Sequence, residues 1–444
     1  MTAHSTERQE GFVTEGAPSR SRQVLLGTLM MLAARLVALA SGFVVLGVLG
    51  RTLSREDFGF WLVLSSLLSF AMILDFGLGQ AMRNELAVLA SGQDTRDRAE
   101  LLFLSVLLTL GAVALTAALL LLTAFLLLPA DMLPAGEAAV GALGSVTLLI
   151  LLIPLNLNLV GFLAYGEVGL RSRFEVLQSV LLLVVVLALA HRLSVGGLAL
   201  VYYGALDVIA LAALLAFVRR RRWPWVRPTI TGVLSVLRSL VRTGLRFWVL
   251  AIAAVVVSAS APLIAARTLG LAEAGDFSAI QRLFALLIAV HLTALTPLWS
   301  AYTAADHLGD GAWVRTSFRR SLLLTGAVLI IASIGLGIFA RPFLILWLGR
   351  DIYQPVTILA LLAWAVVVTI TNCCSVLLNG LGRLRRQALL LGLGAMVHWP
   401  LSLWLGAALG GPGIVLGMIL SVLPAMVGSA LEVRAVLMTT GADG

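Results

Sequence analysis

The chain has 444 residues, of which 60% are hydrophobic and only 12% are charged. A soluble domain carries about a quarter of its residues as charges, so this composition excludes an ordinary water-soluble protein and indicates a polytopic membrane protein. All of the 31 basic residues are arginine, and the formal net charge is +9. Because these arginines lie in loops between apolar segments, they indicate membrane orientation rather than nucleic-acid binding.

Twelve apolar segments are long enough to cross a bilayer, which takes about 20 residues of helix. The first follows a polar segment of 23 residues and is too long for the core of a cleavable signal peptide, so we expect it to be retained. The predicted spans are 24–50, 58–82, 101–129, 138–164, 174–190, 195–218, 247–266, 279–303, 321–340, 355–378, 388–408 and 412–437.

The distribution of arginine predicts the orientation. With the N-terminus in the cytoplasm, 23 arginines fall in cytoplasmic segments and six on the opposite side, while Arg35 and Arg282 lie within spans. Cytoplasmic loops of membrane proteins carry such an excess of basic residues. The sequence therefore predicts a multi-pass protein of the inner membrane with both termini in the cytoplasm.

The longest connection divides the chain into two halves. Residues 219–246 begin with four consecutive arginines, and Arg238, Arg242 and Arg246 recur every four residues opposite an apolar face. This pattern is typical of a helix in the membrane surface. The predicted organisation is a tail, a six-helix bundle, this basic linker, a second six-helix bundle and a second tail, at 1–23, 24–218, 219–246, 247–437 and 438–444.

Short motifs recur about half a chain apart. Arg51-Thr52-Leu53 follows the first span, as Arg267-Thr268-Leu269 follows the seventh, and Asp57-Phe58 and Asp276-Phe277 come next. Six spans separate these points, so the two halves have the same orientation. We predict an all-α fold of two six-helix bundles related by a pseudo-two-fold axis along the membrane normal, with a central site between them.

Three motifs carry a resemblance to a known family. Residues 49–61 (LGRTLSREDFGFW) are similar to the first outer turn of bacterial polysaccharide flippases, Asp75–Gly79 (DFGLG) resembles their D-x-G-L-G segment, and Leu378–Arg383 (LNGLGR) resembles the turn before their eleventh span. The chain is thereby identified with the Wzx-like O-antigen and exopolysaccharide branch of the multidrug/oligosaccharidyl-lipid/polysaccharide (MOP) exporter superfamily.

The resemblance implies a transporter rather than an enzyme. Its substrate would be a lipid-diphosphate-linked oligosaccharide, moved to the outer leaflet for polysaccharide biosynthesis, with a polysaccharide polymerase, other assembly proteins and membrane lipids as partners. A cation-coupled multidrug exporter of the same superfamily is the first alternative. A membrane-embedded glycosyltransferase and a non-catalytic assembly scaffold are the others.

Polar residues at membrane depth are the candidate site residues, because charges there are costly and usually face a cavity. Arg35 in span one is expected either to meet the diphosphate or to pair with Asp75 or Asp207. Arg282 in span eight is a second cationic candidate, or extends to the interface. Asn156 and Asn158 interrupt span four and are candidates for sugar binding or for helix packing.

Four further groups are candidates for ion coupling. Asp207 lies at the centre of span six, and Asp75 precedes two glycines, which favours a helix-end role. His291 and His398 lie in mid-span and are read either as titrating groups or as hydrogen-bonded packing residues. The histidine spacing matches no metal motif and the chain lacks lysine, so we predict no metal, cofactor or ATP site within it.

Overall fold

The computed structural model describes residues 20–91, 96–127, 137–223, 226–307, 309–383 and 385–439. These residues form fifteen α-helices and no β-strand. The helices are α1 (Arg20–Thr52), α2 (Arg55–Ala71), α3 (Leu78–Ser91), α4 (Arg96–Leu127), α5 (Glu137–Leu155), α6 (Leu157–Ala164), α7 (Val168–Leu189), α8 (Val195–Arg221), α9 (Ile230–Ala259), α10 (Ala261–Leu269), α11 (Leu271–His307), α12 (Gly311–Leu348), α13 (Pro355–Gly380), α14 (Arg385–Leu409) and α15 (Gly411–Thr439).

Twelve spans account for these helices, as predicted. Ten apolar segments of the described chain are each long enough to cross a membrane, and one of them combines α5 with α6. The pairs α2–α3 and α9–α10 form the other two spans, and both are broken in the middle. Several helices extend beyond the predicted ends; α11 begins at Leu271 rather than at 279, and α12 begins at Gly311 rather than at 321.

The helices form two lobes that repeat the same packing. In the first lobe, α1 packs on α7, α5 packs on α8, and α4 packs on α5. The corresponding pairs in the second lobe are α9 with α14, α13 with α15, and α12 with α13. The internal repeat predicted from the sequence is therefore present in the packing of the helices.

The break in span two results from local backbone chemistry. The Asp75 carboxylate accepts a hydrogen bond of 2.8 Å from the Gly77 amide, while Phe76 and Gly77 adopt positive φ angles of 51° and 70°. A Cβ on Gly77 would overlap the carbonyl oxygen of Gly244 in α9. The D-x-G-L-G motif thus ends one helix, begins the next and allows close approach to α9.

The basic linker differs from its prediction as a separate surface helix. Its helical part begins at Ile230, capped by Thr229, whose hydroxyl accepts a hydrogen bond from the Gly232 amide. The helix then continues without a break into span seven as α9. Its beginning packs on α3 and α4 of the first lobe, where Leu240 is fully buried, and α9 also packs on α14 of the second lobe. Part of the predicted apolar face, with Leu240 at its centre, is therefore used for packing between helices.

The buried residues form one shared core and two separate ones. The shared core joins both lobes and includes Leu49, Phe58, Phe277 and Leu348. A second core lies around Phe103 in the first lobe and includes Leu240 of α9, and a third lies wholly within the second lobe. The end with the shared core holds the C-terminus of α1 and is called the outer end, following the arginine prediction; the opposite end is called the inner end.

Candidate functional site

Ion pairs and carbonyl contacts close the lobes at the outer end. Arg55 at the start of α2 pairs with the buried carboxylate of Asp276 in α11, and Arg350 lies 3.8 Å from the other oxygen of that carboxylate. The hydrogen bond to Asp276 raises the pKa of Arg55, whereas burial lowers the pKa of Arg350. Arg51 donates to the carbonyl oxygens at the end of α12, at 3.2 Å for Trp347.

Small and aromatic residues complete this closure. Gly59 of α2 lies against Gly275 of α11 so closely that a Cβ on Gly275 would be 2.9 Å from the Cα of Gly59. The rings of Phe43 and Trp347 stack with centroids 4.3 Å apart, and the Trp347 indole donates to the Phe43 carbonyl at 3.0 Å. The outer end is therefore sealed by backbone approach as well as by charge.

Burial decreases along α1 and α11 toward the inner end. Val45 and Leu49 of α1 are buried, whereas Met30 and Leu36 are exposed. Residues 274–280 of α11 are all buried, but Val290, Leu292 and Trp299 are exposed. Two lobes that touch at one end and separate toward the other produce this gradient.

A groove of ≈ 290 Å³ lies between α1 and α11, just inside the outer closure. Its described lining is apolar except for one side chain, Arg282, and none of the lining residues is acidic. Phe43 and Trp347 lie at its outer end, and Ala38, Leu39, Gly42 and Leu46 form its α1 wall.

Arg282 belongs to the interface between the lobes. This arginine lies three turns into α11, which begins at Leu271, and the alternative that it extends to the membrane surface stays a prediction. Its guanidinium donates to the Ser65 hydroxyl of α2 in the first lobe. Tyr202 and Tyr203 of α8 lie close enough to interact with it electrostatically. One cation on the second lobe thus faces hydroxyl groups of the first.

Arg35 lies one helical turn further toward the inner end on the same stripe of α1 as Ala38, Leu39 and Gly42. It is exposed, and it has no hydrogen bond or ion pair with any residue that the structure describes. Among the described residues, no ion pair joins Arg35 to Asp75 or Asp207, and its role stays a prediction. The positions of Arg35 and Arg282 place one cation on each wall of the opening between the lobes.

The two asparagines lie at the break in span four, not in the groove. Asn158 is buried and donates from its amide to the carbonyl oxygens of Leu155, at 2.5 Å, and Ala210, at 3.2 Å. Asn156 is half-buried at the N-cap of α6. Asn158 thus connects α6 to α8, and the sugar-binding role proposed for the pair stays a prediction.

The two carboxylates have different surroundings. Asp75 is engaged in the helix-end contact that the sequence favoured. Asp207 is half-buried in α8, and its Oδ1 atom is buried without a hydrogen-bond partner among the described residues. An ion-coupling role for either is untested by this geometry.

The two histidines also differ. His398 is fully buried, with its Nε2 atom 2.9 Å from the Ser260 hydroxyl and its Nδ1 atom 3.2 and 3.4 Å from those of Ser402 and Ser421. It joins three helices at the break in span seven. The ring nitrogens of His291 are buried without a hydrogen bond to the described residues, beside the backbone of Thr325.

Several residues of this region escaped the sequence analysis. The contacts of Ser65, Tyr202 and Tyr203 with Arg282 cannot be predicted from the sequence, because they depend on which helices pack together. Asp276 was noted only as part of the repeat, although a carboxylate at a predicted span end near two outer arginines was a usable sign of an ion pair. In the described part of the chain, no cluster of three His, Cys, Asp or Glu side chains is arranged to hold a metal ion.

Comparison with solved structures places this arrangement among known folds. An inward-facing multidrug resistance MATE family transporter of the MOP superfamily aligns over 92% of this chain and 98% of its own, with a TM-score of 0.70 at 17% identity. The fold is that of the MOP superfamily transporters. The lipid II flippase MurJ, in an inward closed conformation, aligns over 94% of this chain and 90% of its own, with a TM-score of 0.62 at 11% identity. No protein-family model and no curated protein matches the sequence.

The same comparison distinguishes two conformations of the MOP fold. An outward-facing multidrug resistance MATE family transporter covers 95% of both chains at 16% identity but reaches a TM-score of only 0.59. The higher score of the inward-facing structure agrees with the shared outer core and the separate inner cores.

Proposed function

We propose that the protein is a flippase that moves a lipid-diphosphate-linked oligosaccharide from the cytoplasmic to the outer leaflet by alternating access. The observation that carries the proposal is the charge of the opening between the lobes. Arg282 lines the groove and Arg35 lies one turn beyond it on the facing wall, while no acidic residue is among the described lining. An anionic headgroup fits this opening better than a cationic drug does.

The chemistry of a diphosphate suits two arginines on opposite walls. A guanidinium stays charged and presents a planar set of donors that can bind phosphate oxygens in a bidentate manner. The apolar remainder of the groove accommodates part of the headgroup's lipid stem, and the long tail remains in the bilayer. Arg282 exchanges its bond to Ser65 for one to phosphate, so binding a substrate weakens a contact between the lobes.

Transport then requires the outer closure to open. The contacts there are a partly exposed ion pair, two carbonyl contacts and close packing of glycines, each of which contributes modestly. Rocking of the lobes about the groove separates them at the outer end and brings them together at the inner end, which carries the headgroup across. We place the protein in the Wzx-like branch and the inner membrane, with cytoplasmic termini and polysaccharide assembly enzymes as partners.

A cation-coupled multidrug exporter is the second candidate. It is favoured by the similarity to multidrug transporters and by Asp207, whose buried carboxylate oxygen lacks a described partner. In that case Asp207 rather than the arginines governs activity. The two candidates thus make opposite predictions for the same set of variants.

Purified protein in liposomes with a fluorescent lipid-diphosphate oligosaccharide tests the proposal. We expect the wild type to move the probe between leaflets, and Arg35→Ala and Arg282→Ala each to lower the rate by at least about tenfold, the effect of losing one charged hydrogen bond. Arg192→Ala, which removes an exposed arginine from an outer loop, is the matched control.

Two results would overturn the proposal. One is probe movement at the wild-type rate in both Arg35→Ala and Arg282→Ala. The other is no movement of the lipid together with uptake of organic cations under a pH gradient that depends on Asp207, which would establish the exporter.

A further inference from the structure

A second groove lies at the inner end of the second lobe, away from the opening between the lobes. It has a volume of ≈ 620 Å³ and runs between α12, α13 and α15. Its floor is apolar, with Phe318, Cys374 and Val433 buried and Leu322 and Ile370 half-buried.

Three arginines and no acidic residue line this groove in the described structure: Arg315, Arg319 and Arg434. Arg315 donates to the carbonyl oxygen of Leu437 at 2.7 Å, which satisfies the last turn of α15. Arg319 and Arg434 are exposed, and neither makes an ion pair or hydrogen bond with a described residue. The groove therefore offers two cations, beside its apolar floor, to a ligand.

At the inner end of the first lobe, one pair of arginines has a different environment. There, Arg220 and Arg221 at the end of α8 both pair with Glu167, and Arg221 also lies over the Tyr165 ring, 3.9 Å from its centroid. Arg220 and Arg221 are thus neutralised within the first lobe, whereas Arg319 and Arg434 have no ion pair with a described residue. The latter pair is not explained by the packing of the fold.

We propose that this groove binds one anionic phospholipid of the leaflet at the inner end. Arg319 and Arg434 hold the phosphate-bearing headgroup, and one acyl chain lies along the floor formed by Leu322, Ile370 and Cys374. The charges of the groove lie at the arginine-rich end of the protein, where anionic headgroups concentrate. An apolar floor favours a lipid over a free phosphate, which has nothing to bury there.

Native mass spectrometry of the full-length protein, titrated with phosphatidylglycerol or phosphatidylcholine, tests this site. An arginine beside an anionic headgroup contributes about fivefold in affinity, so Arg319→Ala/Arg434→Ala should weaken phosphatidylglycerol retention by about 25-fold and leave phosphatidylcholine unchanged. The control Arg320→Ala/Arg385→Ala removes two exposed arginines outside the groove and should retain the wild-type preference.

A second variant separates a lipid from a simple anion. Ala430→Trp fills the floor while keeping the arginines, and it should also lose phosphatidylglycerol, whereas inorganic phosphate should not displace the lipid from the wild type. Equal retention by the wild type and the double arginine variant would overturn the proposal. So would displacement by inorganic phosphate with no effect of Ala430→Trp. If Ala430→Trp fails to fold, phosphatidylglycerol retention by the Arg319→Ala/Arg434→Ala variant still tests the proposal.

Discussion

The outer and inner ends of the lobe interface differ in how their residues are buried. At the outer end, one hydrophobic core continues from lobe to lobe, and Arg55, Asp276 and the glycine pair Gly59 and Gly275 hold α2 against α11. At the inner end, each lobe has a core of its own, and α1 and α11 expose apolar side chains. The interface is thus a closed seam at one end and an opening at the other, which is the geometry needed for access from one side.

The largest loss of stability is expected from a substitution where span two, at its break, packs on α9. Gly77→Ala places a side chain at a positive φ, which costs about 1 kcal/mol, and against the Gly244 carbonyl, which costs about 1–3 kcal/mol more. We expect a clear loss of thermal stability in detergent. Gly166→Ala is the control, since Gly166 has a φ of 69° but no atom within 4 Å of its Cβ position. An equal Tm for the two variants would mean that the close approach to α9 is unimportant.

A substitution in the outer closure should shift the protein toward a conformation in which the lobes separate at the outer end. The Cβ of Gly59→Ala would overlap the Leu271 carbonyl of the other lobe, and overpacking of about 1–3 kcal/mol corresponds to a 5- to 150-fold loss of the closed state. Spin labels at Glu56→Cys and Tyr353→Cys, with both native cysteines replaced, should report longer distances across the outer end. Gly335→Ala, whose Cβ would meet nothing within 4 Å, should leave the distances unchanged; lengthening in both variants would contradict this account.

The ion pair at the seam should have a smaller effect. Arg55→Ala leaves the buried Asp276 carboxylate with Arg350 at 3.8 Å. Because Arg55 itself is half exposed, the closed population should fall by about fivefold, near 1 kcal/mol. The same labels measure it, and Arg341→Ala, which removes an outer arginine with an exposed partner, is the control. A shift as large as that of Gly59→Ala would show that charge, not packing, seals the outer end.

The smallest effect concerns the exposed pair of Arg341 and Asp351, which are 2.8 Å apart. The hydrogen bond from Arg341 lowers the pKa of Asp351. Any stabilisation by the pair is therefore present above the ordinary carboxyl pKa and is lost as the pH falls toward the lowered value. Arg341→Ala should raise the Asp351 pKa toward its usual range by NMR titration, with the remaining lowering due to the Tyr353 amide, and without a measurable change in Tm at neutral pH. A clear drop in Tm would give this pair a structural role.

The fold was largely predictable because membrane thickness and apolar length constrain each other. Runs of apolar residues predict the twelve spans. The recurrence of Arg51 and Asp57 as Arg267 and Asp276 predicts the internal repeat and the two lobes. The ends of α11 and α12 were misplaced, since helices continue past the hydrocarbon where composition alone shows no limit. For the same reason, the sequence predicted a linker that ends at residue 246, whereas α9 continues through this position.

The site was less predictable, since its parts are brought together by packing between lobes. Arg35 and Arg282 were visible as charges at depth, but only the structure brings Arg282 to Ser65 and leaves Arg35 without an ion pair to a described residue. His398 and Arg35 gave the same kind of signal in the sequence, yet one is enclosed by three serines and the other is exposed. A polar residue in a span is a candidate for function, and the partners that it meets decide which candidates remain.

The unbroken course of α9 joins the first lobe to the second through one continuous helix. A helix of 30 residues is about 45 Å long, and this one starts against α3 and α4 and also packs on α14. A tilt of about 10° at its beginning would displace its far end by about 8 Å. If the lobes rock as proposed, we expect α9 to act as a lever that couples movement of the second lobe to the inner end of the first.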